Sequence, residues 1–383
     1  MTCRGKKALI IHNTLNSCGG GERVSVAVIE TLKEMGFHVT LGTVEPTYWP
    51  RVKMLLGVVA KPDREIHLLK TRVKAFGIYM RLLTYWIVRK YGMEFDLKIN
   101  THGDTLPIPM DIIYMHFPTF ALAEYNPVNF KYFQNVFWRM YFTPYEYIMK
   151  MLAKKLIENT STMVVTNSKF SEEAIERYVG RRALIVHPPV DFETFSRAFH
   201  MRTERREDIV ITVGRYTPEK NYEFILRVAL EIPSAKFIIM GASSGKISNN
   251  YYTKLMRMVR QLGLMNVELR RDVSLNELLK VMARAKVYMH TMINEHFGVA
   301  VAEGMSAGLV PVIHRSGGAY TDIIEYDRYG YSYKCIDEAV RAVEKALDSF
   351  SKMSQVVYRR AKLFSKENFK TSFRNVVKEV VKT

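Results

Sequence analysis

The sequence predicts an α/β protein built from two doubly wound parallel-sheet domains. Three observations carry this expectation. Apolar runs of strand length alternate with amphipathic stretches of helix length, the pattern of β-α-β units and a parallel sheet. A chain of 383 residues exceeds one ordinary domain and suits two of roughly 180 each. One polar, charged stretch, VDFETFSRAFHMRTERRED (190–208), stands between an earlier series of such units and a later one, as a linker does.

Taken in order, KKALIIH (6–12) is a continuous apolar run behind two lysines, as expected of a strand buried on both faces. GGGERVSVAVIETLKEMG (19–36) follows as a helix that closes on a glycine, and HVTLGTV (38–44) is the next strand. DIIYMHF (111–117), TMVVTN (162–167) and ALIVHPP (183–189) continue the first series. Beyond the linker, IVITVGR (209–215), AKFIIMG (235–241), KVYMHT (286–291) and LVPVIHR (309–315) are strands, separated by helical patterns such as LNELLKVMARA (275–285). The expected division is residues 1–195, residues 196–365, and a C-terminal helix over 366–383 that packs back on the first domain. Two such domains imply a cleft, and ligands of open parallel sheets sit at the carboxyl ends of the strands.

Composition narrows the classes. Lys and Arg outnumber Asp and Glu by 56 to 38, a formal charge of +18, which calls for nucleic acid, an anionic membrane or a polyphosphate ligand. An apolar share of 48% belongs to a folded chain and excludes disorder. The three cysteines, Cys3, Cys18 and Cys335, are odd in number and lack C-x-x-C spacing. That indicates a reducing compartment and excludes a zinc ribbon or a disulfide framework. MTCRGKK runs straight into the first strand, too short for a signal peptide. The best spanning candidate, FGIYMRLLTYWIV (76–88), is interrupted by Arg81 and short of the roughly 18 uncharged residues needed. The chain is therefore expected in the cytoplasm, peripheral on the cytosolic face of a membrane.

Chemistry gathers at strand ends. In SCGGGERVS (17–25) consecutive glycines let a ligand approach the backbone, and the helix N-terminus favours an anion. A dinucleotide fingerprint needs a glycine where Val24 stands, and a tight turn without a ligand is the alternative. VGRYTPEKN (213–221) places Arg215 and Lys220 after a strand that ends in Gly214, so that two cations can converge on a diphosphate leaving group. Each alone is also an ordinary surface cation. YMHFPTF (114–120) ends another strand in His116, open to a structural or a functional reading.

NEHFGVAVAEG (294–304) sets two glutamates around an apolar run. Gly298 suits a loop rather than a helix interior, so the helix is expected from Val299, with Glu295 before it and Glu303 a little over one turn inside. A buried carboxylate needs a partner. Each either caps or salt-bridges the fold, or accepts ligand hydroxyls while the helix N-terminus faces phosphate.

Together these residues resemble the retaining GT-B glycosyltransferases that use nucleotide sugars. EHFGVAVAE has the E-x7-E form, and GRYTPEKN, the GGGER loop and a strand-end histidine stand in the matching order over nearly the whole chain. GGGERV, MHFPT, TNSKFSEEAI, HPPVD and NEHFGVAVAEGMSAGLVPVIHRSGG look most like the dolichol-pathway α-1,2-mannosyltransferases, which extend a lipid-linked oligosaccharide from GDP-mannose. The resemblance implies two Rossmann-like domains facing a cleft, an acceptor side in the first, a nucleotide-sugar side in the second, retention, and no metal or cofactor. It implies that Arg215 and Lys220 hold the donor diphosphate, with Gly214 beside them, and that Glu295 binds hydroxyls of the transferred sugar. The backbone at Phe297, Gly298 and Val299 would take the phosphates and Glu303 the ribose hydroxyls. Gly20 and Gly21 would let the first domain close on the diphosphate, and His116 would lie beside the sugar. The departing phosphate oxygen would receive the acceptor's proton, so no protein base is implied. UDP-sugar transferases on other glycans or glycolipids, and GT-B-shaped nucleotide-sugar epimerases or hydrolases, share these motifs.

Unlike those mannosyltransferases, this chain shows no hydrophobic anchor before its first strand, which leaves its own surface to reach a lipid. KTRVKAFGIYMRLLTYWIVRK (70–90) holds six cations and no acid, and NPVNFKYFQNVFWRMYFTPYEYIMKMLAKKL (126–156) is basic and dense in aromatics. Basic amphipathic helices with Trp and Tyr suit the interface of an anionic membrane. Lys70, Arg72, Lys74, Arg81, Trp86 and Trp138 are accordingly the candidate membrane and acceptor side. With no recognised nucleic-acid motif, nucleic acid is not an expected partner. An inactive nucleotide-sugar sensor would leave Lys220 and Glu295 without a joint use.

Overall fold

The continuous apolar runs become the strands of two parallel sheets, one in each of two units. The computed structural model describes residues 5–57, 60–71, 77–125, 135–201, 206–243 and 245–382. The first unit comprises Met1–Pro189 with Lys366–Thr383, and the second Val190–Ser365.

Among the described residues, the first sheet has β1 (Lys7–Ile11), β2 (His38–Thr43), β3 (Arg64–His67), β4 (Leu97–Asn100), β5 (Ile112–Tyr114), β6 (Met163–Thr166) and β7 (Leu184–Ile185). Their order is β3-β2-β1-β4-β5-β6-β7, with Lys7 opposite His38 and Ala8 opposite Leu97. The second sheet has β8 (Ile209–Val213), β9 (Lys236–Gly241), β10 (Val267–Arg271), β11 (Val287–His290), β12 (Val310–His314) and β13 (Tyr331–Tyr333). Its order is β10-β9-β8-β11-β12-β13. Central strands are buried on both faces, so Ala8 to Ile11 of β1 are wholly inaccessible. Each order reverses once, between β1 and β4 and between β8 and β11. Chain crossovers diverge there and leave a crevice at the carboxyl ends.

Four strands escape the sequence expectation: β3, β4, β10 and β13. Three lie at sheet edges, where no continuous apolar run is needed. In β4, Lys98 interrupts the buried Leu97 and Ile99, and four residues are too few to show a period. β7 is shorter than expected because Pro188 and Pro189 have no N–H to extend it.

The polar stretch 190–208 is not a linker throughout. It carries a helix, Phe192–His200, capped by Asp191, which accepts the Thr194 N–H at 3.3 Å. Phe192, Phe195 and Ala198 pack into the second unit's core. The helical spacing of its apolar residues outweighs its charge.

The C-terminal helix Lys366–Lys382 belongs to the first unit, where Phe369, Phe373, Val376 and Val377 join the core. It lies against the helix Gly20–Glu34. Lys370, 5% exposed, meets Glu30 at 3.6 Å and also pairs with Glu34, while Arg374 reaches Glu34 at 3.0 Å.

The described part of 70–90 does not form one amphipathic helix. A single 3-10 turn, Tyr79–Arg81, precedes a helix over Thr84–Tyr91, and Arg72 and Lys74 lie outside the described residues. Residues 126–134 also lie outside them. The helix that follows, Val136–Glu158, runs through Pro144 and starts at Asn135, whose side chain accepts the Trp138 N–H at 2.9 Å. Among the described residues, no helix is long and apolar enough to cross a membrane.

Candidate active site

The second unit gathers its polar residues at the crossover between β8 and β11. After β8 and Gly214, a 3-10 turn over Pro218–Lys220 carries Lys220 back toward the end of β11. The Thr291 hydroxyl donates to the Lys220 carbonyl at 2.6 Å and ties the two loops together. Lys220 Nζ then stands 3.1 Å from Glu295 Oε2 and 3.4 Å from the Met292 sulfur. The Lys220 and Glu295 side chains are each 19% exposed. His290, the last residue of β11, brings Nε2 to 3.3 Å of the same carboxylate oxygen. Burial alone would raise the Glu295 carboxyl, but Lys220, His290 and His296 outweigh it and hold the group well below the usual range. Burial, helped by Lys220 and opposed by Glu295, keeps the His290 ring below the ordinary imidazole range, hence neutral at physiological pH.

Backbone geometry fixes the glutamate. Gly298, at φ 101°, begins the helix Val299–Ser306, which starts where the sequence predicts. Gly317, at φ 76°, passes so close behind Glu295 that a Cβ would run into its carbonyl. The Gly318 N–H donates to that carbonyl at 2.8 Å, and the Asn294 N–H donates to Ser316 Oγ at 2.9 Å. Glu303 lies inside the helix, 8% exposed. Burial and then the Glu303 charge raise the Tyr288 phenol, which donates to the Val213 carbonyl at 3.1 Å. Val301, Ala302 and Met305 anchor this helix in the core.

The expected convergence of Arg215 with Lys220 is not what the structure shows. Arg215 is 74% exposed and faces Glu219 at 3.9 Å. Its neighbour Tyr216 is wholly buried, with its hydroxyl donating to the Ile239 carbonyl at 2.8 Å. Adjacent side chains on extended backbone point to opposite sides, so Arg215 faces outward. The Gly214 N–H is committed to the Met240 carbonyl at 3.0 Å. Phe297 is core, edge-on to Phe364 at 5.4 Å.

In the first unit the crossover between β1 and β4 also gathers polar groups. Gly20 opens the helix Gly20–Glu34 with free space beside it, whereas a Cβ on Gly21 would sit 3.3 Å from His116 Nε2. Glu22 accepts the Gly19 N–H at 2.7 Å, a capping box that fixes the glycine turn. Its carboxyl, which burial alone would raise, is held at about 2 by His12 and backbone donors. His12 Nδ1 lies 2.8 Å from Ser25 Oγ and 3.1 Å from Thr101 Oγ1. His116 Nε2–H donates to the Thr101 carbonyl at 3.0 Å. Burial and the neighbouring His12 and Arg81 bring the His116 ring down to about 4, against that hydrogen bond.

Arg81 is not on a membrane-facing side. Its guanidinium pairs with Asp104 at 3.3 Å and donates to the His102 carbonyl at 2.7 Å. Asp104, 4% exposed, also accepts from Thr119 at 2.8 Å and from the Tyr145 phenol. Trp86 and Trp138 are 53% and 37% exposed, and Lys70 is exposed. Arg89 stacks over Trp86 at 5.4 Å.

Sequence reasoning overlooked His12, His102 and His290. Their signal was there: each ends, or closely follows, a strand beside a crossover point. Among the described residues, no group of acidic, histidine or cysteine side chains could hold a metal ion.

Known proteins resemble this chain in sequence and in fold. Residues 193–363 match the family of glycosyl transferases group 1. The chain is 27% identical to the GDP-Man:Man(3)GlcNAc(2)-PP-Dol alpha-1,2-mannosyltransferase of Homo sapiens, over 59% of this chain and 50% of that protein. Its counterpart in Xenopus laevis is 26% identical, over 96% of this chain and 87% of that protein. Against the human relative, the chain spans about half the length. Among solved structures, sucrose-phosphate synthase from Thermosynechococcus elongatus superposes with a TM-score of 0.74 at 15% identity, covering 98% of this chain and 99% of that one. HepE of Anabaena in complex with UDP gives 0.72 at 15% identity, covering 97% and 100%. At such identities the likeness speaks to fold alone. The chain thus carries a group 1 glycosyl transferase domain over residues 193–363, within a two-sheet fold that it shares with solved glycosyltransferases.

Proposed function

We propose that the protein is a retaining, metal-independent glycosyltransferase that moves mannose from GDP-mannose, in α-1,2 linkage, onto a lipid-linked oligosaccharide at the cytosolic face of a membrane. The observation that carries this reading is the Lys220–Glu295 pair at 3.1 Å beside the uncapped helix start at Gly298–Val299. A nucleoside diphosphate leaves more readily where fixed positive charge meets its phosphates. Lys220 provides a full charge, and the helix N-terminus adds N–H donors and a partial one. Arg215, exposed and only loosely held by Glu219, is free to swing onto the same phosphates. Glu295 accepts hydroxyls of the transferred sugar, and Glu303 those of the ribose. The departing phosphate oxygen takes the proton of the attacking hydroxyl. These cations replace a metal in the reaction.

The names of the relatives support GDP-mannose and a dolichol-linked acceptor. Exposed Trp86 and Trp138, with Lys70 and the stacked Arg89, support peripheral contact with anionic lipid.

The test is a thermal-shift panel of GDP, UDP, GDP-mannose, UDP-glucose and UDP-GlcNAc, since preferential binding raises apparent stability. GDP and GDP-mannose are expected to shift the transition, and a shift with UDP alone overturns the mannose assignment. Incubation with GDP-mannose and lipid-linked acceptor in EDTA should give transfer. Free mannose without transfer would favour a hydrolase. Vesicle sedimentation should recover the protein with anionic and not with neutral liposomes.

A further inference from the structure

Glu295 spends one oxygen on both of its protein partners. Lys220 Nζ at 3.1 Å and His290 Nε2 at 3.3 Å both face Oε2. Oε2 is the nearer oxygen to each, and no hydrogen bond from Lys220 to Oε1 accompanies it. His290 is 5% exposed, and its buried Nε2 has no hydrogen-bond partner among the described residues, with Oε2 of Glu295 standing at 3.3 Å as the acceptor within reach. Tyr333 donates to the His290 carbonyl at 3.0 Å, and the residue closes a central strand, so the ring has little freedom. A buried N–H without an acceptor is unfavourable, and a small turn of the ring or the carboxylate lets Oε2 relieve it, which favours the present orientation of Glu295.

We propose that His290 is a positioning residue, whose Nε2–H holds Oε2 of Glu295 so that Oε1 is presented to a hydroxyl of the transferred sugar. This rests on the donor reading above. Lys220 alone cannot set that orientation, because an ammonium on a four-carbon stem follows a carboxylate through several rotamers. Lys220 is also drawn toward the diphosphate when donor binds, and His290 is then the contact that remains. Because the ring is neutral, it steadies the carboxylate without competing with Lys220 for the phosphates. The division of labour places phosphate affinity with Lys220 and sugar recognition with the His290–Glu295 pair.

The test uses two polar replacements in the full chain. His290→Gln carries an amide N–H to nearly the place of Nε2, and His290→Asn is similarly polar but too short to reach. Calorimetric titration should show His290→Asn losing about tenfold in GDP-mannose affinity, and as much in kcat/KM, with GDP affinity unchanged within about twofold. His290→Gln should recover much of that loss. Equal losses for GDP and GDP-mannose, no loss for either, or no recovery with glutamine would each overturn the proposal. Should the variants fail to fold, histidine 15N shifts of the wild type decide. An Nε2–H tautomer that responds to GDP-mannose and not to GDP supports the assignment, and an Nδ1–H tautomer overturns it. A wild type that binds no nucleotide or nucleotide sugar sinks the donor reading and this proposal with it. Wild-type binding with indifferent variants sinks this proposal alone.

Discussion

The two units share a strand order around their crossover points but use those points differently. In the first, His12, Ser25, Thr101, His102, Arg81, Asp104 and Tyr145 bond to one another in a region largely closed to water. In the second, Lys220 and Glu295 remain partly exposed, Lys220 and His290 both approach the carboxylate most closely at Oε2, and the helix start carries no side-chain cap. A network whose members satisfy one another is structure, and its worth is rigidity. A cluster with fixed charge and unspent acceptors is prepared for a ligand. The contrast teaches that polar residues at a crossover point do not by themselves mark binding. What marks it is the part of their bonding left over.

The sharpest way to break the comparison is Asp104→Ala. It leaves the Arg81 guanidinium without its 3.3 Å partner in a site where Asp104 is 4% exposed. Chemical denaturation should record a loss of about 3–5 kcal/mol, the usual effect of orphaning a buried charge. A loss within experimental error would place that network among the surface interactions.

Acid should act next, with His116 of the first unit leading and the depressed His290, His296 and His314 of the second adding in the same direction. An unfolded imidazole binds its proton near pH 6.5, whereas His116 in the fold does so only near about 4. The folded pKa is depressed, so the unfolded chain takes the proton first. Stability is complete above about pH 6.5 and falls by up to about 1.4 kcal/mol per unit until about pH 4. His102, pushed down chiefly by burial, adds in the same direction. Denaturation midpoints between pH 7 and 4 should trace this slope, and His116→Gln should flatten it.

In the second unit the effects should fall on activity. Lys220→Ala should lower turnover at least tenfold, with a small change in Tm, because the pair it leaves is partly exposed. Near-normal turnover would remove Lys220 from the leaving-group site. Glu303→Ala is expected to weaken donor binding by about fivefold to tenfold with turnover little changed. A drop in turnover at unaltered affinity would contradict the ribose role.

Much of the fold was legible because buried parallel strands are apolar on both faces. KKALIIH and IVITVGR need no neighbours to be read. The start of the helix at Val299 was legible as well, since Gly298 announces it. Edge strands such as β3 and β13 were not, because exposure removes the constraint that makes a pattern. Phe192, Phe195 and Ala198 were read past because charge obscured their helical spacing. Arg81 and Arg89 look alike in KTRVKAFGIYMRLLTYWIVRK, yet one is paired with the buried Asp104 and the other lies over Trp86. Only the partner 23 residues further along separates them.

The sequence by itself determined two parallel sheets, the glycine turns at their strand ends, and the pair of glutamates set around a helix start. These follow from local rules: apolar period, positive φ at glycine, and the price of leaving carboxylates in a core. Tertiary structure alone decided that Lys220 turns inward while Arg215 turns out, and that His290 shares an oxygen of Glu295 with it. It also decided that the first unit's histidines serve one another. Such choices depend on which strands lie side by side, and no residue's own neighbours in the chain carry that information.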